Sequence, residues 1–119
     1  MTIMTKLSLI KDINGLNSFG APFSNSKYQA LLTAGIGDSV TVPPTGDATY
    51  SNVLAIFSFD PGDSVWVSIN GTAVVPNSTF TLSECELNPS ARKVKPGDVI
   101  SMITSDTVDQ VGVIFYAVT

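Results

Sequence analysis

The chain contains no histidine, one cysteine (Cys85) and few charges, which make up 13% of its 119 residues. Histidine is the side chain that titrates nearest neutral pH, and it is the usual general base and metal ligand. Its absence removes the central group of most acyl-transfer, metal-hydrolytic and cupin-type mechanisms. A single thiol has no partner within the chain, so no disulfide framework is expected, and a protein made in the cytoplasm fits that count. No run approaches the roughly 20 apolar residues of a membrane span. The short apolar stretch ending at Ile10 is interrupted by Ser8 and then by Lys11 and Asp12, less than a secretory signal requires. Six basic against ten acidic residues give a formal charge of −4. A nucleic-acid footprint needs a basic stripe, which this chain lacks. Neither a membrane nor a nucleic acid is expected as a partner, and neither a cofactor nor a metal is expected.

What is present is apolar and β-like. Hydrophobic residues are 44% of the chain, enough for one domain with a sizeable core. Runs rich in β-branched and aromatic residues alternate with Gly, Pro, Asn and Asp clusters. They predict strands over 3–10, 28–33, 39–42, 53–59, 65–69, 79–82, 99–104 and 110–118. Pro61-Gly62-Asp63 and Pro96-Gly97-Asp98 each precede a strand, and Gly37-Asp38 is a related signal. Proline pre-sets φ at the first central turn position and glycine accepts a positive φ at the second. Helix signals are poor: Ser83-Glu84-Cys85-Glu86 has the form of a capping box, but Asn88-Pro89 follows at once. One short helical turn within 84–94 is the most the sequence supports. The expected fold is all-β, an antiparallel sandwich of jelly-roll type spanning 27–119, preceded by an extended N-terminal arm over 1–26.

Three features point to interaction surfaces. In 53–59 and 111–118 both faces are apolar: Phe57 and Phe59 oppose Leu54 and Ile56, while Val113 and Phe115 oppose Ile114 and Tyr116. A lone sandwich leaves one face of such strands wet, so a second cover is expected, from the N-terminal segment or, preferentially, from other copies. Trp66, the only tryptophan, shares the polar face of its strand with Ser64, Ser68 and Asn70. It reads as a residue capped by its own chain, or as an anchor for a subunit or a sugar ring. Ile13, Leu16, Phe19 and Phe23 are spaced apolar residues in a stretch without a strict period, suited to an arm laid in a groove. The candidate interface is therefore Ile13, Leu16, Phe19, Phe23, Trp66, Phe57, Phe59, Ile114 and Tyr116. The aspartates Asp60, Asp63, Asp106 and Asp109 flank turns, where such residues accept backbone N–H bonds. No pair of acids or nucleophile with a base stands out as catalytic, so the chain is read as non-enzymatic.

The order of elements resembles that of small β-sandwich structural proteins in the virions of tailed bacteriophages. The residues that carry the likeness are Lys27 to Thr33 leading into Ser39-Val40-Thr41-Val42-Pro43, then Val65-Trp66-Val67-Ser68-Ile69-Asn70 and Thr72-Ala73-Val74-Val75-Pro76. Glu86-Leu87-Asn88-Pro89-Ser90-Ala91-Arg92 and Lys95-Pro96-Gly97-Asp98-Val99-Ile100 complete it. These are strand-and-turn patterns without invariant chemistry. The resemblance implies a capsid decoration or head/tail accessory protein, made in the bacterial host cytoplasm and located in the virion. Its implied partners are further copies of itself, with a trimer as one form, and a major capsid or other virion protein. A carbohydrate-binding β-sandwich module is the competing expectation, based on Trp66 and the many Asn, Ser and Thr side chains.

Overall fold

A computed structural model describes residues 3–18, 20–76 and 85–119. Eight strands form in chain order: β1 (Ser26–Thr33), β2 (Asp38–Thr41), β3 (Asn52–Phe59), β4 (Val65–Ile69), β5 (Glu86–Leu87), β6 (Ala91–Val94), β7 (Val99–Thr104) and β8 (Val108–Val118). They make two four-stranded sheets, ordered β1-β8-β3-β6 and β2-β7-β4-β5. Every neighbouring pair is antiparallel. The all-β sandwich expected from the alternating runs is the observed architecture, and the described residues contain no helix.

Period-two alternation decides what lies inside. Val53, Ala55 and Phe57 of β3 stand beside Val113, Phe115 and Ala117 of β8 and face Val65, Val67, Ile100 and Met102 of the other sheet, all buried. β1 adds Ala30 and Leu32 to this core. The two Pro-Gly-Asp turns use the same device twice. Gly62 and Gly97 take φ of 88° and 92°. Asp63 and Asp98 donate their N–H to the carbonyls of Asp60 and Lys95, each at 3.0 Å. Their carboxylates accept the N–H of those same residues at 3.1 and 2.9 Å. At the Gly37-Asp38 signal the positive φ falls on Gly35, at 75°, and Asp38 opens β2.

Four expectations are revised. The described part of 84–94, residues 85–94, holds β5 and β6 in place of a helical turn. Asn88 sits between them at φ 45°, a left-handed corner. Its Oδ1 accepts the Val65 N–H at 2.8 Å and its Nδ2 donates to the Asp63 carbonyl at 2.8 Å. This side chain fixes the start of β4. The stretch 3–10 is not a strand and makes one parallel bridge, Lys6 to Ala117. Thr5 and Leu7 bond Ala117. Asn25, just before β1, accepts the Thr5 N–H and donates to the Ile3 carbonyl, so side-chain bonds replace a longer ladder. The first 26 residues do not stay outside the core throughout, because Met4 is buried within it. Residues 10–20 do not run as an extended arm: they fold back on themselves, as described below. The strand expected at 79–82 lies outside the described residues.

Candidate interaction surfaces

The fold-back is a small projecting hairpin. Lys11 bridges Asn17 antiparallel. The Ile10 and Ser18 N–H groups donate to the Gly20 and Ile10 carbonyls, both at 2.8 Å. At the tip, Asp12 Oδ1 accepts the N–H groups of Asn14 and Leu16 at 2.9 and 3.0 Å, and Gly15 supplies a φ of 80°. Asn14-Gly15 is a strong hairpin signal, and it accounts for the fold-back where an extended arm was expected. Backbone bonds and polar side-chain bonds hold the hairpin, leaving its apolar side chains in solvent. Ile13 is 99% exposed and Leu16 65%. Phe23, on the return to β1, is 93% exposed with the Lys27 ammonium 5.8 Å from its ring. Phe19 lies outside the described residues.

The second face of the β1-β8-β3-β6 sheet is built from the residues opposite the core row. Leu54, Ile56, Ile114 and Val118 are half-buried there. Ile56 and Ile114 stand directly opposite one another, as do Leu54 and Tyr116. Tyr116 is buried although it faces outward, because its own chain crosses it: the phenol donates to the Pro22 carbonyl at 2.8 Å. The preceding segment thus covers part of the face for which other copies were the preferred cover. Phe57 and Phe59 do not belong to this outer row. Their alternation places them inward, Phe57 buried and Phe59 packed on the core, with rings stacked 6.2 Å apart. The sequence shows two apolar faces but not which of them is the core, and β3 is resolved only by its pairing with β8.

On the other sheet Trp66 is half-buried and lies in register with Ile103 of β7 and Leu87 of β5. This gives an apolar row across three strands, with Leu87 48% exposed. Near the β5 and β6 edges, a cleft of about 600 Å³ is lined by Phe57, Val67 and Cys85, with the Glu86–Arg92 ion pair on its rim. That pair, 2.7 Å apart, holds the Glu86 carboxyl below its ordinary range.

Three of the four turn aspartates, Asp63, Asp106 and Asp109, accept backbone N–H bonds as the sequence suggested. Asp106 and Asp109 both accept the Ser64 N–H, at 3.0 and 3.2 Å, joining the β3–β4 and β7–β8 turns. Burial pushes Asp109 upward, but bonds from the Thr104 hydroxyl, the Ser64 N–H and Asp63 outweigh it and hold its carboxyl low. Asp63 is shifted the opposite way by loss of solvent and by the hydrogen bond it shares with Asp109. At the β1 side, Tyr28 donates to Asp38 at 2.8 Å and ties the two sheets together. Burial and that carboxylate push the phenol up to about 12. Among the described residues no three His, Cys, Asp or Glu side chains are grouped to hold a metal ion. These groups serve turns, strand ends and the contact between the two sheets. No protein-family model, curated protein or solved structure matches the chain.

Proposed function

We propose that this chain is a non-enzymatic structural component of a tailed-phage virion, a capsid decoration or head/tail accessory protein that acts through subunit contacts. The observation that carries the reading is the hairpin. The sandwich presents the nearly fully exposed Ile13 with Leu16 on a short hydrogen-bonded projection, and the exposed Phe23 on the return to β1. Exposed apolar groups gathered in this way mark an interaction site rather than a stabilising feature. The strand order, β1-β8-β3-β6 over β2-β7-β4-β5, supports a jelly-roll form, in which eight strands make two interlocking Greek keys. The virion itself enters through the resemblance of residues 27–118 to such proteins. The competing carbohydrate-binding reading has less support, because the in-register neighbours of Trp66 are Ile103 and Leu87 rather than hydrogen-bonding side chains.

The test is co-purification of the tagged chain with phage particles, run beside a glycan array. Attachment to particles with an empty array supports the reading. Saturable glycan binding without particle attachment replaces it with the carbohydrate module.

A further inference from the structure

The sandwich has four sheet edges, and they are not equally protected. Edge strands offer unpaired backbone groups to other chains, and proteins blunt them with short length, charge, proline or bulges. β2 has four residues, begins at Asp38 and is followed by Pro43-Pro44. β5 has two residues and is followed closely by Pro89. β6 has four residues, including Arg92 and Lys93, with Lys95-Pro96 just beyond. β1 has none of these features except Lys27 near one end. It has eight residues, contains no proline, and pairs with β8 without a break from Ser26↔Phe115 to Thr33↔Val108.

The direction of its free backbone groups follows from β8. Ala117 exchanges bonds with Thr5 and Leu7 on the β1 side of β8, so the N–H and C=O groups of Val113, Val111 and Asp109 also point to that side. Tyr28, Ala30 and Leu32 are therefore the residues of β1 bonded to β8, through the register in which they pair. Lys27, Gln29 and Leu31 turn their N–H and C=O groups to the free edge. Among the described residues no backbone bond reaches those groups; the neighbouring Thr33 carbonyl is taken by the Ile36 N–H. All three side chains are exposed, Leu31 at 66%.

We propose that this edge is a strand-addition interface that takes β1 of a second copy, antiparallel, about a two-fold axis through Gln29. That register uses the free groups completely: Gln29 meets Gln29, and Lys27 meets Leu31 of the second copy in both directions. A shift that centres the pair on Ala30 would set Lys27 against Thr33, whose carbonyl is already bonded. The charge pattern also selects a second copy in this orientation. Lys27 is the only charge on the strand, and antiparallel pairing puts it opposite an exposed leucine, where its methylene stem covers the apolar side chain. Parallel in-register pairing would set lysine against lysine. Two joined sheets then form one eight-stranded sheet across the axis.

The pairing is independent of the virion reading, and failure to co-purify with particles leaves its readouts untouched. It is tested by light scattering of the full chain at tens of micromolar, with three variants. The expected species holds an even number of copies, because a two-fold contact consumes the edge in pairs. Leu31→Lys sets like charges opposite each other at two symmetric positions and should raise the dissociation constant about tenfold or more, without changing the melting temperature. Gln29→Pro removes an N–H that faces the free edge rather than β8, and should give a folded monomer. Gln29→Cys in a Cys85→Ala background should form a covalent dimer on oxidation. A monomeric wild-type chain, an odd-numbered assembly such as a trimer, or a Leu31→Lys variant of unchanged mass would overturn the proposal. Slow amide exchange at Gln29 and Leu31 in a monomer would also overturn it, assigning the edge to a segment of the same chain.

Discussion

The sandwich and the hairpin before β1 draw on the same kinds of apolar residue and treat them in opposite ways. In the sandwich, alternation on paired strands turns Phe57, Val113 and Phe115 toward a second sheet, where they are buried. In the hairpin, hydrogen bonds pair the two arms but no second layer faces them, so Ile13 and Leu16 remain in water. Hydrogen bonding specifies local shape in both regions. Only layering converts an apolar side chain into folding stability. The hairpin's apolar residues are thus free to serve contacts outside the chain, and the core row of the sandwich is not.

The largest break in this contrast comes from the core. Phe115 is 2% exposed between the sheets, and Phe115→Ala should cost about 3–5 kcal/mol, measured by denaturant unfolding. An effect below about 1 kcal/mol would mean that the two-sheet packing is not what holds the fold. A smaller loss is expected at the corner that aligns β4. Asn88→Ala removes the bonds to Val65 and Asp63 and places a Cβ residue with no local side-chain bond at φ 45°, for about 1–3 kcal/mol.

The smallest effect concerns pH. Asp98 and Asp109 have lowered carboxyls, so the stability they contribute is present above the ordinary carboxylate range and is lost as pH falls through their folded values. Asp63 is raised, so its contribution is present below the ordinary aspartate value and is lost as pH rises through its folded value. Asp63→Asn should therefore raise the melting temperature slightly at neutral pH, with the gain vanishing in acid. A gain that persists unchanged in acid would show that the Asp63–Asp109 contact is not its source.

The sequence carried much of the sandwich and less of its surfaces. The strands β1, β3, β4, β7 and β8 follow from alternating β-branched runs, and the Pro-Gly-Asp turns from glycine's freedom at positive φ. β6 was missed because Arg92 and Lys93 mask a strand whose only buried residue is Val94. The two-faced strands left the inner face undecided. Phe57 and Phe59 read as interface residues until pairing with β8 put them inside. Tyr116 was legible as outward-facing, but its cover by Pro22 depends on a contact between residues far apart in sequence. The exposure of Ile13 and Phe23 depends on what does not pack against them, which no periodicity records.

The most direct test of the account joins both regions in one molecule. An Ile13→Asp, Leu16→Asp double variant is compared with wild type for melting temperature and for retention on purified phage particles. The hairpin tip makes no core contact, so stability should stay within about 0.5 kcal/mol of wild type while particle retention is lost. Full retention on particles by the folded double variant, or a cooperative loss of folding, would contradict it.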